Sequence, residues 1–275
     1  MQRQKTKIPQ HKYAINASML GDDAALPWTN LGLWHTPHVT YPEACQNLAI
    51  SLAEALALKS DDVVLDLGCG WGASLNLWQE QYAVRQISAV ELQTECLSYL
   101  KTQDCLNTVN FYQGSFLNLK ALSLNLKHDV ILCIDALYHH SLAQFLNSIS
   151  ESAHEETRLG FHYLTITAQW EKLSFVQRKK YQYLLALADI QINALYNQIQ
   201  LCQVLENAGW HHTNIKILTE PVFGGFSSYI QHREHENHAI YGIDGLKIKL
   251  TAKLCHQLFK AGVVDYVQVV SHRLP

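Results

Sequence analysis

Three glycines at alternate positions are the strongest chemical signal in this sequence. Gly68, Gly70 and Gly72 follow an apolar run that contains Asp66, and a helical pattern begins at about Ala73. A glycine has no side chain, so a ligand can approach its backbone closely, and the first N–H groups of a helix are free donors. A buried strand, a tight turn and a helix in this order are typical of a site for a nucleotide-like molecule.

A carboxylate follows the next predicted strand. Glu91 comes directly after the apolar stretch Gln86–Val90 and lies 23 residues beyond Gly68. At the tip of the strand that neighbours the glycine turn, a carboxylate can accept hydrogen bonds from both hydroxyls of a ribose. The glycine turn and Glu91 together therefore favour a ligand that contains a nucleoside.

Two classes of cofactor fit this pattern. Residues 68–73 satisfy the G-x-G-x-x-A fingerprint of dinucleotide cofactors, although a single match of this kind is a weak signal. Asp66 lies two residues before the first glycine, where its charge would repel a pyrophosphate in a dry cleft. The same carboxylate favours a cationic or amino-bearing ligand. An NAD(P)-dependent oxidoreductase is therefore the alternative interpretation rather than the leading one.

Strand and helix patterns alternate along most of the chain. This alternation predicts an α/β fold with a doubly wound, mostly parallel, Rossmann-like sheet. Because the carboxyl ends of parallel strands share one edge of the sheet, Gly68–Gly72, Glu91, Gly114–Ser115 and Asp135–His140 are expected to converge there. Seven strands are predicted, one beginning at 63 and the others at 86–90, 108–112, 129–135, 159–167, 215–218 and 263–270. Helices are predicted at 41–59, from 73, and at 92–106, 142–150, 201–208 and 246–259, with a loop that leads into a helix at 221–230.

A single domain over residues 1–275 is expected, with two additions to the alternating pattern. The N-terminal part, 1–59, combines a helix with the aromatic stretch Leu26–His35, which either fills the core or forms a flap over a pocket. The segment at about 168–199 is rich in aromatic and aliphatic residues. It predicts one or two amphipathic helices that form a packed helical cap, which could also cover the cleft.

Composition excludes several classes of function. Of the 275 residues, 48% are hydrophobic and 16% are charged, and the net charge is −3, so neither a disordered chain nor a protein that coats nucleic acid is indicated. The seven cysteines include no C-x-x-C pair, which favours reduced thiols and a cytoplasmic location.

Adjacent histidines point to opposite sides, so no metal site is expected. No apolar run approaches the roughly 18 residues that a membrane span needs.

The glycine turn resembles the first motif of the class I S-adenosylmethionine-dependent methyltransferases. The resemblance is carried by Val64–Gly72 together with Glu91, and it extends from about residue 30 to residue 230. Asn30–Trp34 resembles the segment that precedes the domain in the small-molecule branch of that family. Asp135–His139 resembles the fourth-strand motif, and Ala208–Trp210 the turn before the sixth strand. The resemblance also implies that the last strand is antiparallel.

The resemblance implies S-adenosyl-L-methionine as the cofactor and assigns roles to individual residues. Asp66 would lie near the amino group of the methionine part, and Glu91 would bind the ribose hydroxyls. Where the family commonly has an acid for the adenine amino group, this sequence has Gly114–Ser115, so Ser115 or the backbone would hold adenine. The residues expected to bind the cofactor are Asp66, Gly68, Cys69, Gly70, Gly72, Glu91, Leu92, Ser115, Phe116 and Asp135.

Transfer of a methyl group from a sulfonium is an in-line displacement, so alignment of donor and acceptor supplies much of the rate. A base is needed only for an acceptor that must lose a proton. By the resemblance, His139 is the candidate base or acceptor-orienting residue, while Tyr138 and His35 are further candidates. The alternative for the histidines is that they cap the following helix or face solvent.

The leading interpretation is therefore a methyltransferase for a small-molecule acceptor such as a metabolite, an amine, a phenol or a lipid-like molecule. A protein that binds the cofactor without catalysis, as an interaction module, is a further alternative. Nucleic acid is not expected as the acceptor, because no base-flipping motif follows the fourth strand. The sequence does not determine the oligomeric state, and a homodimer is one alternative.

Overall fold

The computed structural model describes residues 15–36, 38–236 and 240–274, so the basic residues near the N-terminus lie outside the described part. One seven-stranded sheet has the order β3-β2-β1-β4-β5-β7-β6. The first five strands pair in parallel, and β7 lies antiparallel to both β5 and β6. The mostly parallel sheet and the antiparallel last strand expected from the sequence are confirmed.

Helices flank this sheet on both sides. The strands are β1 Val63–Leu67, β2 Gln86–Glu91, β3 Asn110–Gln113, β4 His128–Cys133, β5 Ala153–Ile166, β6 Trp210–Ile217 and β7 Val264–Arg273. The helices are α1 Tyr41–Ala55, α2 Ala73–Glu80, α3 Thr94–Leu100, α4 Leu142–Ile149, α5 Ala168–Lys172, α6 Phe175–Leu187, α7 Gln198–Asn207, α8 Gly225–His235 and α9 Gly242–Ala261.

Several element boundaries differ from the sequence-based expectation, and strand β6 begins at Trp210 rather than at 215. The helix expected over 92–106 is shorter, because α3 begins at Thr94 and a separate short turn covers Asp104–Leu106. Strand β5 begins at Ala153, and its pairing with β4 shifts register between His128 and Val130.

The segment expected to be a loop at 221–230 is a π-helical turn at Glu220–Gly224 that continues into α8. Its aromatic residues are core residues, since Phe223 and Phe226 are buried. The glycines that made this segment look like a loop serve close packing instead. A Cβ on Gly225 would lie 2.4 Å from the Cβ of Trp34.

A buried histidine lies in the middle of the sheet. His162 in β5 is fully buried and pairs in register with Gln268 of β7. Its ring packs against Tyr266, with 5.6 Å between the ring centroids. Burial lowers the pKa of His162 to about 3, so the imidazole is neutral in the folded protein at neutral pH.

Replacing His162 by glutamine is expected to flatten the acid dependence of stability. An unfolded histidine has a pKa of about 6.5, so between about pH 6 and pH 4 the unfolded chain binds a proton that folded His162 does not. This group alone therefore lowers the free energy of unfolding by about 1 kcal/mol for each pH unit of acidification. Urea unfolding at pH 4, 5 and 6 should show a correspondingly smaller slope for His162→Gln.

The control for this experiment is His235→Gln, because His235 is exposed at the end of α8. Other buried groups, including His128 and Asp66, titrate equally in both proteins, so the difference in slope isolates His162. Identical slopes in the wild type and His162→Gln would contradict the assignment.

Candidate active site

A cavity of about 300 Å³ opens at the carboxyl ends of β1, β2 and β4. This is the edge at which the sequence predicted that the ligand-binding segments converge. Five parts of the chain form its walls: the aromatic stretch before α1, the glycine turn with the start of α2, the end of β2 with α3, the segment after β3 and the segment after β4. The lining residues are Pro27, Trp28, Thr29, Asn30, Asp66, Gly68, Cys69, Gly70, Trp71, Ala73, Ser74, Glu91, Leu92, Gln93, Cys96, Phe116, Ile134, Asp135, Ala136, His139 and His140.

The glycine turn combines left-handed backbone with close approach of other groups. Gly68 has a φ of 77°, and its N–H donates to the carbonyl of Val90 at 2.8 Å. A Cβ at this position would lie 3.6 Å from the ring of Phe116, so a side chain would fill the space between the turn and that ring. Because Gly68 has no side chain, the backbone of the turn faces the ring of Phe116 directly and leaves space between them.

Glu91 connects the end of β2 to this turn. The side chain is almost fully buried, its Oε2 accepts from the N–H of Gly70 at 3.0 Å, and its Oε1 accepts from the N–H of Gln93 at 2.9 Å. Each carboxylate oxygen has a second acceptor position. Glu91 can therefore accept hydroxyl groups of a ligand while it holds the glycine turn.

Asp66 lies beneath the turn and anchors the start of α2. Its Oδ2 accepts from the hydroxyl of Ser74 and from the indole N–H of Trp78, both at 2.8 Å. Burial raises the pKa of Asp66 to about 6, although these two hydrogen bonds act in the opposite direction. The side chain thus supports the cavity floor and also contributes to its lining.

Asp135 is the centre of a hydrogen-bond cluster at the other end of the cavity. It has a φ of 52°, a conformation that aspartate tolerates better than most residues. Its Oδ1 accepts from the hydroxyls of Tyr138 and Tyr266, each at 2.8 Å, and its Oδ2 accepts from the N–H of Leu31 at 2.9 Å. Burial raises the pKa of Asp135. The carboxylate thus joins the segment after β4, the last strand and the N-terminal segment.

The aromatic stretch at 26–35, here called the flap, covers the glycine turn. Trp28 and Asn30 line the cavity, which fits the flap interpretation of the sequence. The flap is fixed to the body of the domain: the hydroxyl of Tyr41 donates to the carbonyl of Asn30 at 2.8 Å, and the N–H of Leu33 donates to the carbonyl of Ala44 at 2.7 Å. Within the described residues, the Nδ2 atom of Asn30 is buried without a hydrogen-bond partner.

Most residues expected to bind the cofactor lie in this cavity. Those that line it are Asp66, Gly68, Cys69, Gly70, Glu91, Leu92, Phe116 and Asp135, and the candidate catalytic residue His139 lines it as well. Gly72 and Ser115 do not. Gly72 lies under Leu100, whose Cδ2 atom would be 2.5 Å from a Cβ at that position, and the hydroxyl of Ser115 accepts from the N–H of Leu117 at 3.2 Å.

Two candidate catalytic residues lie elsewhere. Tyr138 is buried with its hydroxyl on Asp135, so it contributes to the cavity only through that carboxylate. His35 lies in a separate, more open groove of about 630 Å³ beside Trp34 and Tyr229. The insertion at 168–199 forms α5 and α6, and none of its residues is part of the cavity lining.

Sequence reasoning missed two residues of the site. Tyr266 contacts Asp135 from the last strand, 131 positions away, and no local motif marks it. Asn30 was noted only as part of the flap. Its position directly before an apolar Leu-Gly-Leu run does not indicate that its amide is buried at the cavity without a hydrogen-bond partner in the described residues.

In the described ranges, no group of three or more His, Cys, Asp or Glu side chains is arranged to hold a metal ion. No helix in the described part of the chain is long and apolar enough to cross a membrane.

Comparison with known proteins agrees with this geometry. Residues 64–156 match the family described as "Methyltransferase domain". A cyclopropane synthase, MmaA2 from Mycobacterium tuberculosis, superposes with a TM-score of 0.72 at 17% identity, over 96% of each chain. A search of curated proteins found no match.

Two further solved structures share the fold. Geranyl diphosphate C-methyltransferase from Streptomyces coelicolor A3(2), in complex with Mg²⁺, geranyl diphosphate and S-adenosyl-L-homocysteine, has a TM-score of 0.68 at 13% identity, over 93% of this chain and 95% of that one. The [4+2]-cyclase SpnF has a TM-score of 0.65 at 16% identity, over 94% of this chain and 90% of that one.

The sheet order and the cavity at its carboxyl edge define the fold of the class I S-adenosylmethionine-dependent methyltransferases. Within that fold, residues 64–156 are the part that matches the methyltransferase domain family. The fold expected from the sequence is thereby confirmed, and the family match agrees with the methyltransferase resemblance.

Proposed function

We propose that this protein transfers a methyl group from S-adenosylmethionine to a small-molecule acceptor by in-line displacement. The observation that carries the proposal is the charge of the cavity wall. Asp66, Glu91 and Asp135 line the cavity, and neither lysine nor arginine is among the lining residues. Carboxylates without cations favour a ligand that bears a sulfonium and an ammonium group, and they oppose a pyrophosphate.

Each part of the cofactor would meet a suitable group. The ribose hydroxyls would donate to Glu91, which already lies beside the glycine turn. The adenine ring would lie between the apolar side chains of Leu92 and Phe116. The free N–H groups of the Asn30 amide would donate to the carboxylate of the methionine part, because this buried nitrogen otherwise lacks an acceptor.

The acceptor would bind at the end of the cavity that is formed by Ile134, Asp135 and His139. Its main requirement is alignment with the sulfonium, since the methyl group is already activated. His139 would orient the acceptor or take its proton, as an imidazole can at neutral pH. An acceptor of modest size fits this end of the cavity better than a polyanion does, because the wall is negatively charged.

The thiols support a reducing compartment, and we propose a cytoplasmic location. All seven cysteines are free, and five of them are buried, where a thiol behaves as a small apolar group. Stable reduced thiols are typical of the cytoplasm. We also propose that nucleic acid is not a partner, since neither lysine nor arginine is among the residues that line the cavity.

Calorimetric titration and a transfer assay together test the function. We expect S-adenosylhomocysteine to bind to the purified protein and NAD and NADP not to bind. Radiolabelled S-adenosylmethionine should then label at least one member of a panel of amines, phenols, lipids and other metabolites. Binding of NAD without binding of S-adenosylhomocysteine would overturn the proposal. The panel also matters because the same fold occurs in a [4+2]-cyclase, so cofactor binding without transfer would indicate a different use of the site.

A further inference from the structure

Helix α6 in the insertion presents an apolar face to solvent. Phe175, Val176, Tyr183 and Leu187 are between 64% and 76% exposed. Leu185 is the one fully buried residue of α6. The helix therefore packs against the rest of the domain through a small contact area. A soluble domain normally turns such a row of large side chains towards its core.

Two lysines lie on the same face. Helical spacing places Phe175, Lys179 and Tyr183 in one row, and Val176 and Lys180 beside it. The ammonium of Lys179 is 5.6 Å from the ring centroid of Phe175. The helix contains one further cation and no acidic residue, whereas the whole chain has a net charge of −3. The positive charge is therefore concentrated where the apolar side chains are exposed.

We infer that this face of α6 docks onto the surface of a membrane that contains anionic phospholipid. Aromatic and aliphatic side chains flanked by lysines are the combination that an interfacial helix uses, with the apolar groups at the headgroup–acyl boundary and the ammonium groups on lipid phosphates. A second copy of the chain fits the face less well. A two-fold dimer through α6 would bring Lys179 and Lys180 of both copies into one interface to which α6 contributes no carboxylate, so like charges would repel. The inference does not depend on the proposed catalytic function.

Vesicle co-sedimentation of the full chain tests the inference. We expect binding to vesicles of phosphatidylglycerol and phosphatidylcholine, weaker binding to phosphatidylcholine alone, and loss of binding at high salt. The double variant Lys179→Ala/Lys180→Ala should bind about 30-fold more weakly, since each lysine near an anionic surface contributes about 1 kcal/mol. Val176→Glu should also weaken binding at least tenfold.

Ile199→Glu is the matched control, because Ile199 is 73% exposed in the first turn of α7, outside this face. It should bind vesicles as the wild type does. Absence of binding to anionic vesicles, or equal binding by the α6 variants and the wild type, would overturn the inference. A wild-type dimer in light scattering that becomes a monomer in Val176→Glu, without vesicle binding, would overturn it in favour of an interface between copies.

Discussion

Replacing Glu91 by alanine is expected to weaken the binding of S-adenosylhomocysteine by a factor of roughly 5 to 150. This corresponds to about 1–3 kcal/mol, the range for hydrogen bonds to a charged group. The side chain has two tasks, because it would accept the ribose hydroxyls and it already accepts the N–H groups of Gly70 and Gln93. Its loss removes the ligand contact and also loosens the glycine turn. Calorimetric titration of both proteins with S-adenosylhomocysteine measures the effect.

Glu95→Ala provides the control, since Glu95 is an exposed carboxylate four positions further on in α3. It should leave the affinity unchanged. Thermal unfolding without ligand separates a binding defect from a folding defect. Equal affinities of Glu91→Ala and the wild type would remove Glu91 from the cofactor site.

Replacing Asp135 by asparagine is expected to detach the flap from the cavity. Asparagine has the same shape and also tolerates a positive φ, so the backbone can stay in place. However, the three groups that surround the carboxylate are all donors, and one of them would face the new NH₂ group. If the amide oxygen stays on the two tyrosine hydroxyls, the N–H of Leu31 loses its acceptor. We expect faster amide hydrogen exchange in residues 26–34 and dissociation of S-adenosylhomocysteine that is about 5- to 10-fold faster.

The comparison protein for this test is Asp23→Asn, because Asp23 is exposed just before the flap. It makes the same chemical change without touching the cluster around Asp135. Unchanged hydrogen exchange of the flap in Asp135→Asn would show that Asp135 does not hold the flap. The double variant Asp135→Asn/Tyr266→Phe, compared with the two single variants, measures how strongly Asp135 and Tyr266 are coupled.

The sequence predicted the part of the cavity around the glycine turn because its signals are local. A strand that breaks into alternate glycines, followed by a helix, is defined within ten residues, and Glu91 lies at the next strand end. Parallel sheet geometry then brings these segments together without any further information. For the same reason the mostly parallel sheet and most of the helices could be predicted.

The end of the cavity around Asp135 was harder to predict because its contacts are long-range. Asp135 receives hydrogen bonds from Leu31 and Tyr266, which are separated from it by more than 100 residues in opposite directions. His35 was a candidate catalytic residue because it is a histidine within the flap. In the structure it lines a different groove. The phenylalanines and glycines at 223–226 resembled a loop, whereas burial of the aromatic rings makes the segment helical.

The attachment of the flap makes the two sides of the cavity unequal. Leu31 is bonded to Asp135, Leu33 to α1 and Trp34 to the carbonyl of Pro221, so this wall is tied to three separate parts of the domain. The opposite rim, at Leu92, is exposed and carries no such bonds to the flap. With the cofactor bound as proposed, its adenine ring would lie at the exposed rim beside the tip of β2, and its sulfur would lie on the side that the flap encloses.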